Sequence, residues 1–479
     1  MAANPSTIVN FGQNLSFQPQ SLEAPRTEGE LLHILKQYAG RRIRTMGRLH
    51  AWSEAVRSDD VLLDLRHFND VSTEQREGRV WATIGAGCQM KRVLSELERQ
   101  AGVTTPSIGL ITEQAIAGAI STGTHGSGKH SLSHYIDEVR IATYDPATGE
   151  PVIRTVSVGP ELQAARCSLG CLGVIVSVGL WARPQYRVEE HFHRHSSLES
   201  VLAAEGEHPL QQFYLIPWSW DFYGQHRREV TTTRSWLASL YRLYFFLTFD
   251  LGLHLVILAL VQLIRTRWGV RFFYRWIMPW TVVRGWKVVD NSYNMLVMKH
   301  ELFRHIEIEI FVKRSRLAEA IPFVEELLRH FDSDPAALSR TTREHLQSLG
   351  MLEGLQPCAG TYTHHYPICV RRVLPDDTLI SMSSGNTSAA VSEDYYAISI
   401  VSCAQPTDRG GFFQFADHLA RTSAALFQAR AHWGKYCPTE SETADGLYPR
   451  LDEFRRVCME FDPDGRFQND WIARLFFSR

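Results

Sequence analysis

The segment that most restricts the fold is a loop rich in small residues, ITEQAIAGAISTGTHGSG, at residues 111–128. Its glycines at 118, 123, 126 and 128 are interspersed with serines and threonines. Such a loop presents backbone N–H groups and small hydroxyls to an anion and lets a flat ring approach the main chain. It is not a Walker loop, since no GK[ST] closes it, and it is not a GxGxxG turn that opens a helix. The loop predicts a phosphate-bearing cofactor, with a plain glycine-rich turn as the alternative.

The first 185 residues alternate short helical and strand-like patterns. Apolar residues recur at helical spacing in residues 28–37, whereas 61–65 is a short apolar run. The segment DEVRIATYDPATGEPVIRTVS has two alternating runs around turn residues, which is typical of a hairpin. These patterns predict an α+β domain that ends near residue 185. Its expected elements are a helix over 28–37, strands over 41–47, 61–65 and 80–87, a helix over 89–100, a hairpin over 137–157 and a strand within 168–184.

The region 218–290 differs from the rest in its aromatic and basic content. Seven of the 12 tryptophans lie between Trp218 and Trp286, and basic residues far outnumber acids there. The longest uncharged run, residues 251–264, is too short to cross a bilayer comfortably. Two interpretations of this run remain open, a buried helix and a helix that lies in a membrane surface. The second is suggested by the tryptophans and basic residues on both flanks. A true membrane span is the third alternative.

The second half of the chain predicts an antiparallel sheet with helices on one face. The run EIEIFV at 307–312 alternates as a strand does, and an amphipathic helix follows over 316–331. Further strands are expected over 367–374 and 395–403. A helical pattern then runs from residue 415 to residue 435.

Composition excludes several classes of function. The 50 lysines and arginines nearly balance the 52 aspartates and glutamates, so no global charge attracts nucleic acid. The 8 cysteines include no CxxC pair, which fits a reducing compartment. The N-terminal sequence lacks the basic start and apolar run of a secretory signal. We therefore expect a mature N-terminus and a cytoplasmic protein, with membrane association as an option.

Two groups of histidines raise the question of a metal ion. His364 and His365 are adjacent and would point to opposite faces of a strand. His191, His193 and His195 alternate along a predicted strand, and we interpret them as surface histidines on an edge strand. We therefore predict no metal site.

Three more segments accompany the glycine-rich loop. TMGRLHAWS lies at 45–53, SLGCLGVIVS at 168–177 and ARAHWGK at 429–435. Together they resemble the PCMH-type FAD-binding proteins of the vanillyl-alcohol oxidase superfamily, in the branch of sugar-1,4-lactone, L-gulonolactone, D-arabinono-1,4-lactone and alditol oxidases. The resemblance is good over residues 1–185 and 420–479 and poor over the aromatic region.

The resemblance implies an α+β fold with a two-domain architecture, a PCMH-type FAD-binding fold plus a cap domain whose antiparallel sheet is flanked by helices. The implied FAD-binding domain spans 1–185 and the substrate (cap) domain 186–425, with the basic aromatic insert at 218–290. A C-terminal segment, 426–479, would pack back on the FAD domain.

The resemblance also implies that FAD is bound covalently through His50. In this branch the first turn commonly reads GxGHS, and its histidine bonds to the flavin; Gly47 and His50 match, whereas Leu49 and Ala51 depart. The residues expected to bind FAD are Thr45, Met46, Gly47, Arg48, Leu49, His50, Ala51, Trp52, Ala115, Gly118, Ser121, Thr122, Gly123, His125, Gly126, Ser127, Gly173, Ile175 and His432.

The implied chemistry is oxidation of a carbinol carbon by hydride transfer to flavin N5, with a cation near the developing negative charge. Lys435 and Arg371 are the candidates for that cation. Members of this branch carry an acid two residues before the arginine, and alditol oxidases carry a histidine on the next strand. Cys369 and Ser399 stand at those places here. Simple polyols therefore fit less well than a lactone or a more apolar alcohol.

The first choice of reaction is oxidation of a sugar lactone of the L-gulono- or D-arabinono-1,4-lactone type, with reoxidation by dioxygen or another acceptor. One alternative is an alditol or other alcohol oxidase of the same superfamily. Another is a flavin-fold protein that binds a membrane surface and has little activity. Beyond the small-molecule substrate and electron acceptor, the expected partners include no nucleic acid, and a peripheral membrane contact through residues 236–290 is an option.

Overall fold

The computed structural model describes residues 7–299, 301–334, 336–385, 392–403 and 409–477 and has the α+β fold that the sequence predicts. The elements of its N-terminal portion are β1 (Ile8–Val9), β2 (Ser16–Phe17), β3 (Ser21–Glu23), α1 (Glu28–Gln37), β4 (Ile43–Met46), β5 (Val61–Asp64), β6 (Val71–Arg76), β7 (Arg79–Gly85), α2 (Met90–Ala101), β8 (Val103–Thr104), α3 (Ile116–Ser121), β9 (Ile136–Tyr144), β10 (Pro151–Val156), α4 (Gly159–Arg166), β11 (Val174–Trp181) and β12 (Arg183–Pro184).

Two sheets organise this portion. Strands β3, β5 and β4 pair in parallel, and β10, β9, β11, β7 and β6 pair in that order in an antiparallel sheet. The central strand β5 is buried at every residue, which explains its almost continuous apolar sequence VLLD. Helix α1 is capped by Thr27, whose side chain accepts a hydrogen bond from the Glu30 N–H. The predicted helix over 28–37 and the hairpin over 137–157 are confirmed.

The remainder of the chain forms the cap and a C-terminal segment. Its elements are β13 (Arg187–His195), α5 (Leu198–Ala203), β14 (Gln212–Leu215), β15 (Phe222–Val230), α6 (Ala238–Phe245), α7 (His254–Leu258), α8 (Arg267–Phe272), α9 (Met278–Thr281), β16 (Val288–Asn291), α10 (Ser292–Leu296), β17 (His305–Lys313), α11 (Arg314–Phe331), α12 (Arg340–Ser348), α13 (Leu352–Leu355), β18 (Ile368–Val373), β19 (Tyr395–Cys403), α14 (Gly410–Phe427), β20 (Arg430–Ala431), α15 (Ser441–Leu447), α16 (Leu451–Phe461) and α17 (Asp470–Ile472).

An eight-stranded antiparallel sheet, of order β16-β13-β15-β14-β18-β19-β17-β20, forms the cap. Side chains alternate across a strand, so Ile306, Ile308 and Ile310 of β17 share one face and Glu307 and Glu309 the other. Helices α11 and α14 cover the isoleucine face and complete an apolar core there. The opposite face, here called the polar face, is left to meet the loops of the N-terminal portion.

A helical insert, residues 236–284, connects β15 to β16. Its longest helix runs over Ala238–Leu263 and includes π-helical turns at Phe246–Leu253 and Ala259–Leu263. By length and composition this helix could cross a membrane, and only 6% of its most apolar stretch is buried. The alternative of a buried core helix is therefore wrong.

Large apolar side chains of the helical insert are exposed on its outer side, while its inner side packs against the cap sheet. Ile257 and Tyr274 are buried in a cluster with Phe192 of β13. The exposed side chains of the insert are Trp236, Leu240, Leu243, Leu247, Leu255, Val256, Leu263, Ile264, Trp268, Phe272, Trp276, Ile277, Trp280 and Val283.

The helix predicted over 415–435 is wrong at its C-terminal end. Helix α14 ends at Phe427, because Gln428 takes a left-handed conformation with φ of 55°. The chain then forms β20 beside β17, and the His432 N–H donates to the Glu309 carbonyl. This extended path carries the HWGK segment to the polar face of the cap sheet.

The interpretation of the alternating histidines as surface residues of an edge strand is wrong for the strand and for two of the residues, although His193 is exposed. Strand β13 lies between β16 and β15 and is not an edge strand, and His191 and His195 are buried. His364 and His365 are buried as well and precede β18 without lying in a strand themselves.

Candidate active site

A cavity of about 370 Å³ lies between the N-terminal loops and the polar face of the cap sheet. Residues far apart in the sequence meet there, because the eight-stranded sheet and the HWGK segment close over the first turn. The sequence-predicted residues that line it are Thr45, Met46, Gly47, Arg48, Leu49, His50, Ala51, Trp52, Ala115, Gly118, Ser121, Thr122, His125, Gly173, Ile175, Cys369, Arg371, Ser399, His432 and Lys435.

Three predicted cofactor residues lie off this cavity. A Cβ on Gly123 would meet the Met382 side chain at 2.8 Å, and one on Gly126 would meet the Ile108 carbonyl oxygen at 2.5 Å. The Ser127 hydroxyl donates to the Gln211 carbonyl oxygen. These positions serve close packing of the loop and do not line the cavity, and their contact with the cofactor stays a prediction.

The first turn fits a flavin nucleotide. Leu49 has a φ of 56°, and within the described ranges the N–H groups of Arg48, Leu49, His50 and Ala51 donate to no protein acceptor. Gly118 lines the cavity, and a Cβ built on it meets no atom within 4 Å. Free donors beside an open glycine surface suit a cofactor with polar edges and a flat ring.

His50 is held in an apolar and aromatic setting. Its ring stacks on Phe11 with centroids 5.0 Å apart, and its Nδ1 lies 3.4 Å from Glu301 Oε1. Burial is the main cause that lowers the pKa of His50 to about 4, so the imidazole is neutral at neutral pH. Burial, followed by the nearby Glu113, raises the pKa of Glu301 to about 7. A neutral ring nitrogen is therefore available inside the cavity.

One charged cluster joins the cap sheet to the C-terminal segment. The Lys435 ammonium donates to Glu307 Oε2 at 2.5 Å and lies 4.6 Å from the centre of the Trp52 ring. The Ser399 hydroxyl donates to the other oxygen of the Glu307 carboxylate. Lys435 is thus fixed by Glu307 at the end of the cavity formed by the first turn.

A second cluster is centred on Glu309. Its Oε2 lies 3.5 Å from His125 Nε2 and 3.9 Å from His432 Nε2, and its Oε1 lies 3.6 Å from the Arg371 guanidinium. Burial favours the neutral acid, but His125 above all, with His432 and Lys435, holds the pKa of Glu309 below its usual range. Glu309 Oε1 is buried without a hydrogen-bond partner among the described residues, so it can accept one from a ligand.

Glu307 and Glu309 were not among the sequence-predicted site residues. The register places Glu309 opposite Ser399, and Ser399 opposite Cys369, on one face of the sheet. Glu309 of β17 thus supplies a carboxylate on the same face as Cys369 of β18, with only β19 between the two strands. The signal in the sequence was the pair of acids at alternate positions of the apolar run EIEIFV, which predicts two carboxylates on the same buried face.

Cys369 itself is buried, and burial raises the pKa of its thiol. A neutral thiol is a poor nucleophile, so Cys369 fills space in the cavity wall beside Arg371.

The helical insert forms the far end of the cavity, which sequence reasoning also missed. Asp250 and His254, one helical turn apart, line the cavity together with Leu302 and Phe303. The His254 ring stacks on Phe303 with centroids 4.7 Å apart. Asp250 is the only acid in the apolar segment 243–264. A single acid in such a segment was the sequence feature that could have indicated a functional residue.

The fold and the first turn agree with comparisons to known proteins. The chain superposes on cholesterol oxidase from B. sterolicum with a TM-score of 0.74, covering 98% of this chain and 97% of that one at 13% identity. The sequence pattern of the FAD binding domain family matches residues 19–151. The fold and site therefore define an FAD-dependent oxidoreductase that acts on CH–OH groups.

Full-length relatives give the family. The pattern of the D-arabinono-1,4-lactone oxidase family matches residues 251–475. A long-chain alcohol oxidase from an uncultured marine euryarchaeote is 52% identical over 97% of this chain and 96% of its own. The L-gulonolactone oxidase of Scyliorhinus torazame is 24% identical over 98% of both chains. This chain belongs to the aldonolactone oxidase family of PCMH-type FAD-binding proteins.

Proposed function

We propose that the protein oxidises apolar primary alcohols with long alkyl chains to aldehydes. The observation that carries the proposal is that one helix of the insert both lines the cavity and reaches the outer surface. Asp250 and His254 of this helix line the cavity, and its Leu247 and Leu255 are exposed outside. The 52% identity to a long-chain alcohol oxidase over nearly the whole of both chains supports it. Reduction of the bound flavin by 1-dodecanol without oxygen tests it.

We propose that the cavity-lining residues of the first turn, α3 and Gly173 hold FAD. Bound FAD would accept the hydride from the carbinol carbon at N5 and pass two electrons to dioxygen or another acceptor. Glu309 Oε1 accepts the hydrogen bond of the substrate hydroxyl, orients it and takes the hydroxyl proton as the hydride leaves the carbinol carbon. Because the Arg371 guanidinium lies beside Glu309, it stabilises negative charge that develops on the substrate oxygen. Lys435, held by Glu307, supplies positive charge nearer the first turn.

A second candidate is oxidation of a sugar-1,4-lactone. The match to the D-arabinono-1,4-lactone oxidase pattern favours it, together with full-length relatives of that activity at 23% to 26% identity. Leu302 and Phe303 favour the alcohol, because their side chains can pack against an alkyl chain and offer no hydrogen bonds to a polyhydroxylated ring, whereas Asp250 and His254 at the same end of the cavity are polar.

We further propose that a ring nitrogen of His50 is bonded covalently to the flavin. The neutral imidazole lies in the cavity wall, and Glu301 and Phe11 fix its orientation.

Replacing His50 with alanine should release the flavin into the supernatant on acid precipitation, whereas the wild-type pellet should stay yellow. The variant should still bind FAD in its native state, because the other loops keep their contacts. His33→Ala, an exposed histidine on α1, is the matched control and should keep the pellet yellow. Flavin in the wild-type supernatant would show that His50 only contacts the cofactor.

We also propose that the outer side of the helical insert docks on an anionic phospholipid surface, from which the alcohol enters the cavity. The insert exposes tryptophans and leucines along its length, and exposed arginines lie among them in the sequence. The only acid between residues 230 and 289, Asp250, lines the cavity. Exposed apolar side chains together with basic ones suit the boundary between head groups and acyl chains.

Wild-type protein should float with vesicles of phosphatidylcholine and phosphatidylserine, and the triple variant Trp236→Asp, Trp268→Asp, Trp280→Asp should not. High salt should weaken flotation only in part, since apolar burial is insensitive to screening. Met459→Asp, which changes an exposed methionine on α16, is the control and should float. Equal flotation of the triple variant would contradict the docking surface.

A further inference from the structure

Five histidines cluster in the cap at a place that the proposed oxidation does not use. His191, His193 and His195 share one face of β13, and the register places His191 directly opposite His226 of β15. His208 approaches from the loop that follows α5, and its ring stacks on His226 with centroids 4.4 Å apart.

This cluster lies on the side of the sheet away from the cavity. Tyr214, which lines the cavity, pairs with Tyr223, so both lie on the cavity side of the sheet, and the alternating neighbours Gly224 and His226 lie on the other side. The two sites therefore share a sheet but no residue.

The geometry suits a metal ion. His191, His208 and His226 each offer a ring nitrogen, and these three atoms lie within 4.8 Å of one another. Nitrogens bound to one tetrahedral Zn²⁺ are about 3.4 Å apart, because each Zn–N bond is about 2.1 Å long. Small ring rotations close that difference. His195 Nε2, 2.9 Å from His226 Nε2, is within reach as a fourth ligand.

Two further observations point to a ligand. His191 is 9% exposed, and its buried Nδ1 has no hydrogen-bond partner among the described residues. A Cβ on Gly224 would stand 2.7 Å from His226 Nε2 and 3.1 Å from His195 Nε2, so the glycine keeps the space around these nitrogens open. An unpaired buried nitrogen is costly unless something binds it.

We infer that His191, His208 and His226 form a binding site for one divalent transition-metal ion of the Zn²⁺ class, separate from the flavin site. Imidazole suits Zn²⁺, Cu²⁺ and Ni²⁺, whereas Mg²⁺ and Ca²⁺ prefer oxygen ligands, which these three side chains do not offer.

Calorimetric titration of the flavin-loaded, EDTA-treated full chain with ZnCl₂ tests this inference. We expect one Zn²⁺ per chain, and we expect His208→Gln to weaken binding by about tenfold or more, since it removes one ligand. His226→Gln should do the same. His33→Gln should bind as the wild type does, and all variants should keep their flavin and alcohol oxidation. Absence of stoichiometric Zn²⁺ binding, or equal affinity in His208→Gln, would overturn the inference.

Discussion

Replacing Arg371 with methionine should lower kcat/KM for 1-decanol by about 10²- to 10³-fold, the range typical of a lost donor to developing negative charge. Methionine keeps most of the volume of the side chain and removes the charge. Arg371 is half-buried on the polar face of the cap sheet, within 3.6 Å of Glu309 and hydrogen-bonded to Gln212 at 3.0 Å. Steady-state kinetics with the flavin content of each preparation measures the effect.

Arg372→Met is the matched control. Arg372 is the next residue of β18, so its side chain points to the opposite face of the sheet, where it pairs with Glu205 and Asp394 at 3.7 Å. It should keep kcat/KM within about threefold of wild type, as substitutions away from reacting groups do. Equal losses in the two variants would mean that Arg371 acts on the fold and not on the reaction.

The second large effect concerns chain length. From 1-butanol to 1-octanol, kcat/KM should rise by roughly three- to fourfold per methylene, since each buried CH₂ contributes about 0.8 kcal/mol. Over four methylenes this amounts to about 10²-fold. The rise reflects burial of the alkyl chain beside Leu302 and Phe303.

The Trp268→Asp variant separates this effect from membrane docking. Trp268 is 71% exposed and does not line the cavity, so the dependence on chain length in vesicle-free solution should be unchanged. A flat profile from butanol to octanol would mean that the far end of the cavity does not hold the alkyl chain.

Much of the fold could be predicted because local signals agreed with the final structure. The periodicity of residues 28–37 predicted α1, and the turn at Asp145 to Gly149 predicted the hairpin β9–β10. The end of α14 could not be predicted, because Gln428 is an ordinary helix former and its left-handed conformation depends on the pairing of β20 with β17.

Site residues that belong to one recognisable segment were predicted. Site residues that come together only through the order and register of the strands were missed. His50 and Lys435 belong to motifs that can be recognised in a single stretch. Glu309 becomes a partner of Arg371 only because β17, β19 and β18 are neighbours, and strand order is a property of the whole sheet. Asp250 reaches the cavity only because the helical insert packs on that sheet.

The central claim is that this site oxidises a long-chain alcohol, and anaerobic reduction of the flavin tests it most directly. Mixing the holoprotein with 1-dodecanol should bleach the flavin absorbance completely and produce one equivalent of dodecanal. L-gulono-1,4-lactone at the same concentration should reduce the flavin at least about 10²-fold more slowly, since it buries no alkyl chain. Rapid bleaching by the lactone with no reduction by dodecanol would contradict the account.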